Sequence, residues 1–107
     1  MDYPDFTLTG KTVAVTGASK GIGKGVALAL AHAGARVALL ARSEERLKAV
    51  AEEIEEIGGE AMSYAVDLRD VSGIQGVFDR IVDDFGGLDV LVNNAGLGRP
   101  IASVDID

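Results

Sequence analysis

The feature that most restricts this chain is a run of three glycines between an apolar stretch and a helical one: Thr16-Gly17-Ala18-Ser19-Lys20-Gly21-Ile22-Gly23. Ahead of it, Thr12-Val13-Ala14-Val15-Thr16 is compact and β-branched, the pattern of a buried strand. After it, Ile22, Val26, Ala29, Leu30 and Ala33 recur at helical spacing, and Gly34 supplies a stop. A glycine-rich strand-to-helix junction gathers main-chain N–H donors at the positive end of a helix dipole, which is what a pyrophosphate requires. Gly17 permits a tight turn that a Cβ would hinder, Gly21 lets a ligand approach the main chain, and Gly23 lets the helix pack close to the strand. No Gly-Lys-Ser/Thr triplet follows, so the spacing is not that of a triphosphate-hydrolysing loop.

The rest of the chain places this junction in an alternating fold. Arg36 to Ala41 reads as a second strand. Ser43 stands where a helix N-cap belongs, while Arg46 occupies the position of a capping-box Glu, leaving the box incomplete. Leu47, Val50, Ala51, Ile54 and Ile57 then form one apolar stripe, closed by Gly58-Gly59. Ala61 to Val66 is a third strand. Asp70 suits the N-cap of a third helix, whose stripe is Ile74, Val77, Phe78, Ile81, Val82 and Phe85, ended by Gly86-Gly87. Leu88 to Val92 is a fourth strand, and residues 97 to 107 begin a further, incomplete element. The order βαβαβαβ predicts an α/β fold of Rossmann type, a parallel sheet with helices on both faces joined by right-handed crossovers. At 107 residues the chain is one domain or part of one.

Composition narrows the function. Seventeen Asp and Glu against 10 Lys and Arg give a net charge of −7, which argues against nucleic acid as a partner. No apolar run approaches the ~20 residues that cross a bilayer, so no membrane partner is expected. The acidic start, Met1-Asp2-Tyr3-Pro4-Asp5, is unlike a signal peptide, and the absence of cysteine fits a cytoplasmic setting. In so acidic a chain the few basic residues near the loop are informative. The second strand ends Leu39-Leu40-Ala41-Arg42-Ser43. In NAD-preferring sites an acid about 20 residues beyond the loop bonds the ribose 2′-hydroxyl. Ala41 holds that place here and offers no carboxylate, whereas Arg42 offers a planar fork for a 2′-phosphate and Lys20 a second charge. One charge-assisted bond of about 1.5–3 kcal/mol favours NADP(H) over NAD(H) by roughly tens-fold. Asp67, after the third strand, is placed to accept from an adenine amino group, with Leu68 beside it.

Three segments carry a family resemblance. Residues Thr16 to Gly23 look like the TGxxxGxG loop of the short-chain dehydrogenase/reductase family, Val66-Asp67-Leu68 its adenine-contacting pair, and Asn93-Asn94-Ala95-Gly96 its NNAG motif. The resemblance runs from about Leu8 to the end, and is strongest to the branch containing 3-oxoacyl-carrier-protein reductases and gluconate 5-dehydrogenases. It implies strand order 3-2-1-4, NADP preference from Lys20 and Arg42, and a cofactor site comprising Gly17, Ser19, Lys20, Gly21, Ile22, Gly23, Arg42, Ser43, Asp67, Leu68, Asn93, Ala95 and Gly96. Asn93, Ala95 and Gly96 would border the cofactor's ribose and help fix the central strand.

The family's catalysis resembles proton transfer from a Tyr-x-x-x-Lys pair aided by Ser, and no such pair occurs here: Tyr3 is followed four residues on by Thr7, and Tyr64 by Leu68. His32 reads as a surface residue, Glu52-Glu53-Ile54-Glu55-Glu56 as a solvated helix face, and Ser19 has no base to activate it. The chain therefore reads as the cofactor-binding, N-terminal half of a reductase, the alternative being a stand-alone nucleotide-binding or interaction module without chemistry. With no fifth strand beside it, the fourth would expose an unpaired edge and invite self-association, through that edge or through uncovered sheet faces.

Overall fold

The structure is a computed structural model and describes residues 8–94 and 103–106. Its elements follow the order β1 (Thr12–Thr16), α1 (Gly21–His32), β2 (Arg36–Ala41), α2 (Glu44–Glu56), β3 (Glu60–Ala65), α3 (Val71–Phe85), β4 (Val90–Asn93) and β5 (Ser103–Ile106). They form one sheet in the order β3-β2-β1-β4-β5. The first four strands are parallel, with the predicted order 3-2-1-4. β1 is central: Val13 lies between Val37 and Val90, and Val15 between Leu39 and Val92. The chain leaves β1 toward β2 on one side and returns as β4 on the other. This reversal opens a crevice at the carboxyl ends of the strands, where open α/β sheets take their ligands.

Alternation along the strands divides the core. Val13, Val15, Val37, Leu39 and Val92 point to the face covered by Ala27 and Ala31 of α1 and Leu47, Val50 and Ile54 of α2. Ala14, Ala38, Leu40 and Tyr64 point to the other, covered by Val77, Ile81 and Phe85 of α3. Burial on both sides explains why β1 and β2 are continuous apolar runs. Ser43 caps α2 by accepting from the Arg46 N–H at 3.3 Å, and Asp70 caps α3 by accepting from the Gly73 N–H at 3.2 Å. Gly86 ends α3 in the left-handed conformation expected of a terminal glycine.

Several expectations need correction. The buried face of α1 is Gly23, Ala27 and Ala31; Ile22, predicted to lead the apolar stripe, is 63% exposed. The smallest side chains face the sheet because α1 lies close against β1, and the larger Val26 and Leu30 fill its flanks. Ile57 and Val82 are likewise exposed. β3 runs one residue earlier than predicted, and β4 starts at Val90 rather than Leu88. Leu88 packs instead on the α3 side, and the Asp89 carboxylate accepts the Thr12 N–H at 2.8 Å. The edge of β4, expected to lie open, carries β5 antiparallel to it, with Val90 opposite Ile106 and Asn93 opposite Ser103. The tail of residues 97 to 107 thus contributes a strand, and an unpaired β4 edge is not a cause of association.

The outer strand β3 is tied to α3 through Tyr64. Its ring is buried, its hydroxyl donates to Asp84 Oδ2 at 2.7 Å, and the Arg80 guanidinium lies 5.3 Å from the ring centroid. Burial, then the bond to Asp84, push the phenol pKa upward. Tyr64→Phe keeps the ring and removes only the hydroxyl. It is expected to lower the unfolding free energy by about 1–2 kcal/mol in urea titrations, and unchanged stability would mean that the bond does not hold α3 to β3.

Candidate functional site

The β1–α1 loop is built by its glycines. Gly17 and Gly21 have φ of 65° and 59°, in the left-handed region that side chains disfavour. Between them Ala18 is buried, and its N–H donates to the Leu40 carbonyl at 3.3 Å, anchoring the loop to β2. Lys20 is the N-cap of α1, with extended backbone and no side-chain cap. The N–H groups of Gly21, Ile22 and Gly23 find no acceptor among the described residues. A Cβ on Gly21 would meet nothing within 4 Å, so this main chain faces open space. A Cβ on Gly23 would collide with the Gly17 carbonyl oxygen and lie 2.7 Å from Asn94 Nδ2. Gly23 is therefore the point where α1 touches both the loop and the end of β4.

Thr16 joins the same two places. Its hydroxyl donates to Asn93 Oδ1 at 3.0 Å and accepts from the Asn94 N–H at 2.9 Å. One side chain at the end of β1 thereby fixes Asn93 and Asn94 beside the glycine loop.

Two recesses lie along this carboxyl edge. The first, about 330 Å³, is lined by Gly17, Ser19 and Lys20 from the loop, by Ala41, Arg42, Ser43 and Arg46 from the β2–α2 junction, and by Leu68. No carboxylate lines it, and Lys20, Arg42 and Arg46 are in no ion pair among the described residues. The second, about 210 Å³, is lined by Thr16, Asn93 and Leu91 at the β1–β4 reversal, together with Ile74, Phe78 and again Leu68. Leu68 thus borders both a cationic recess and a largely apolar one. Free N–H donors, open main chain and clustered cations fit an anionic, two-ended ligand such as a dinucleotide phosphate.

The comparisons agree with this geometry. A family model described as short chain dehydrogenase matches residues 11–107. The chain belongs to the short chain dehydrogenase family. A short chain dehydrogenase of Pseudocercospora fijiensis is 45% identical over 92 residues, which cover 86% of this chain and 30% of that protein. Among solved structures, a metagenomic short-chain oxidoreductase in complex with NADP superposes with a TM-score of 0.82 at 48% identity, covering 85% of this chain and 41% of that one. L-Sorbose reductase from Gluconobacter frateurii, complexed with NADPH and L-sorbose, gives 0.83 at 38% identity, covering 90% and 37%. The chain therefore spans well under half the length of these relatives.

Of the residues expected at the site, Gly17, Ser19, Lys20, Arg42, Ser43 and Leu68 line the first recess, and Asn93 lines the second. Ile22 sits exposed on the first turn of α1 and lines neither. Asp67 also lines neither: Arg69 donates to Oδ1 from its backbone N–H at 3.0 Å and from Nε at 3.1 Å, and to Oδ2 from Nη2 at 3.0 Å. Ala95 and Gly96 lie outside the described residues. Sequence reasoning missed Arg46, treated only as a defective cap, and the linking roles of Thr16 and Asn94. The signal for Arg46 was present, since a cation stood where the helix start calls for an acid.

Gly23→Ala is expected to destabilise the fold by about 1–3 kcal/mol, because a helix backbone, a loop carbonyl and Asn94 must all shift; thermal or urea unfolding measures this, and a neutral result would mean that α1 is not held by this contact. Asp67 is drawn down from the ordinary 3.8 to about 2, first by the Arg69 side chain, then by its backbone N–H, with Arg42 contributing least. A depressed pKa stabilises the native state above the ordinary value, and that contribution is lost as pH falls from 3.8 toward 2. In an NMR titration of the Asp67 carboxyl, Arg69→Gln is expected to return the midpoint toward 3.8; an unmoved midpoint would exclude the Arg69 side chain as the main cause.

Proposed function

We propose that this chain is the NADP(H)-binding half of a short-chain oxidoreductase and takes NADP(H) in preference to NAD(H). The observation that carries this reading is the cationic recess beside the glycine loop, bordered by Ala41 where an NAD site needs an acid. The N–H groups opening α1 hold the pyrophosphate, with Ser19 adding a hydroxyl donor from the loop. Lys20 and Arg42 receive the 2′-phosphate, and the Ser43 hydroxyl stands beside them. Leu68 gives adenine an apolar surface, and Asp67 Oδ2, which takes one bond from Arg69, keeps acceptor capacity for the adenine amine. Asn93, with Ala95 and Gly96 after it in sequence, borders the ribose nearer the reacting end, while Gly21, Ile22 and Gly23 supply the main-chain cradle. The NADP and NADPH complexes of the two structural relatives support the choice of cofactor.

When bound, this cofactor supplies hydride exchange between carbonyl and hydroxyl groups. That reaction also needs a positioned carbonyl and a proton donor. We assign those groups to the portion of the longer relatives that this chain does not span. The motif sequences favour the branch of 3-oxoacyl-carrier-protein reductases and gluconate 5-dehydrogenases. The absence of cysteine supports a cytoplasmic setting, and among the described residues no helix is long and apolar enough to cross a membrane. Self-association then rests on the sheet face near Leu88 and Leu91, beside Phe78 and Val82 of α3, rather than on the β4 edge.

Calorimetric titration with NADP⁺ and NAD⁺ tests the reading. NADP⁺ is expected to bind at least about tenfold more tightly, and Arg42→Ala to remove most of that margin. Comparable affinity for the two cofactors would overturn the assignment of Lys20 and Arg42.

A further inference from the structure

We infer that Arg46, on the first turn of α2, is a third cation for the 2′-phosphate and a determinant of cofactor choice in its own right. The inference rests on the NADP reading above and deepens it.

Three observations converge on this residue. It lines the same recess as Lys20 and Arg42, so three cations from three elements (the glycine loop, the end of β2 and the start of α2) border one space without a carboxylate. Its position is also costly to the protein. It lies three residues after the N-cap Ser43, where the helix dipole disfavours a cation and where a Glu or Gln would complete a capping box. Finally, like its neighbours Lys20 and Arg42, and like Lys11 and Arg80 elsewhere, it is in no ion pair among the described residues although acids are abundant. Lys24 pairs with Glu53, Arg36 with Glu60, Lys48 with Glu44 and Arg69 with Asp67. Lys48 has Glu44 four residues before it; Arg46 has Arg42, a like charge.

A solvated surface arginine would account for the exposure of Arg46 but not for this placement. Three like charges around one recess repel each other, and an anion seated among them relieves that repulsion. A phosphate monoester, carrying close to two negative charges, is such an anion, and it can take a planar guanidinium through two oxygens. The ligand class is a ribose bearing a 2′-phosphate, and NAD(H), which lacks that group, gains nothing from Arg46.

The test is Arg46→Gln in the chain as it stands. Glutamine completes the capping box with Ser43, so unfolding stability is expected to hold or rise, which separates binding from folding. Calorimetry would compare NADP⁺, NAD⁺, adenosine 2′,5′-bisphosphate and adenosine 5′-monophosphate. We expect the two 2′-phosphorylated ligands to weaken by about five- to tenfold, with the other two unchanged and the salt dependence of NADP⁺ binding reduced. Unchanged NADP⁺ affinity, or an equal loss for all four ligands, overturns the role of Arg46. If Arg42→Ala still abolishes the preference in that case, the NADP reading stands without Arg46. If the unaltered chain binds none of the ligands, the reading and the inference fall together.

Discussion

α1 can press against the end of β1 only because Gly23 presents no side chain to the Gly17 carbonyl and the Asn94 amide. The rest of the site follows from that contact. It brings the helix start, with its free N–H groups, to the carboxyl end of the sheet, and the loop there turns on left-handed backbone at Gly17 and Gly21. The Thr16 hydroxyl secures the other side of the junction by linking β1 to Asn93 and Asn94. Two motifs nearly eighty residues apart in sequence (|i−j| of 78 for Thr16 and Asn94) are thereby one structural unit.

Electrostatics then divides the surface. The chain is acidic overall, and Lys24, Arg36, Lys48 and Arg69 are each paired with a carboxylate. In the recess beside the loop, by contrast, Lys20, Arg42 and Arg46 gather with no carboxylate in the lining. A charged ligand gains most where desolvation is partial and preformed donors are already aimed, so such concentration acts on specificity more than on the fold. The opposite arrangement holds at Asp67, whose carboxylate is engaged by Arg69 two residues along rather than directed into either recess.

Much of this was legible beforehand. The β-branched runs and glycine stops give β1 and β2 at their observed bounds, because strands buried on both faces must be continuously apolar. The caps at Ser43 and Asp70 were readable from their positions, since their partners are only three residues away. The face of α1 was not. Hydrophobic periodicity selects the largest side chains, Ile22 among them, whereas a helix seated this closely buries its smallest, Gly23, Ala27 and Ala31. The fate of the β4 edge was also hidden, because pairing with Ser103–Ile106 depends on a return of the chain that no local pattern encodes.

By itself the sequence determined the alternation of elements, the glycine geometry of the loop and the presence of Lys20 and Arg42 near it, because each depends on residues close together along the chain. Tertiary structure alone decided that Arg46 joins them, that Leu68 borders two recesses while Asp67 borders none, and that Thr16 binds the two motifs together. These depend on how β2, β3 and β4 align beside β1. Such register is set by packing across the whole sheet, and it is visible only when the strands are side by side.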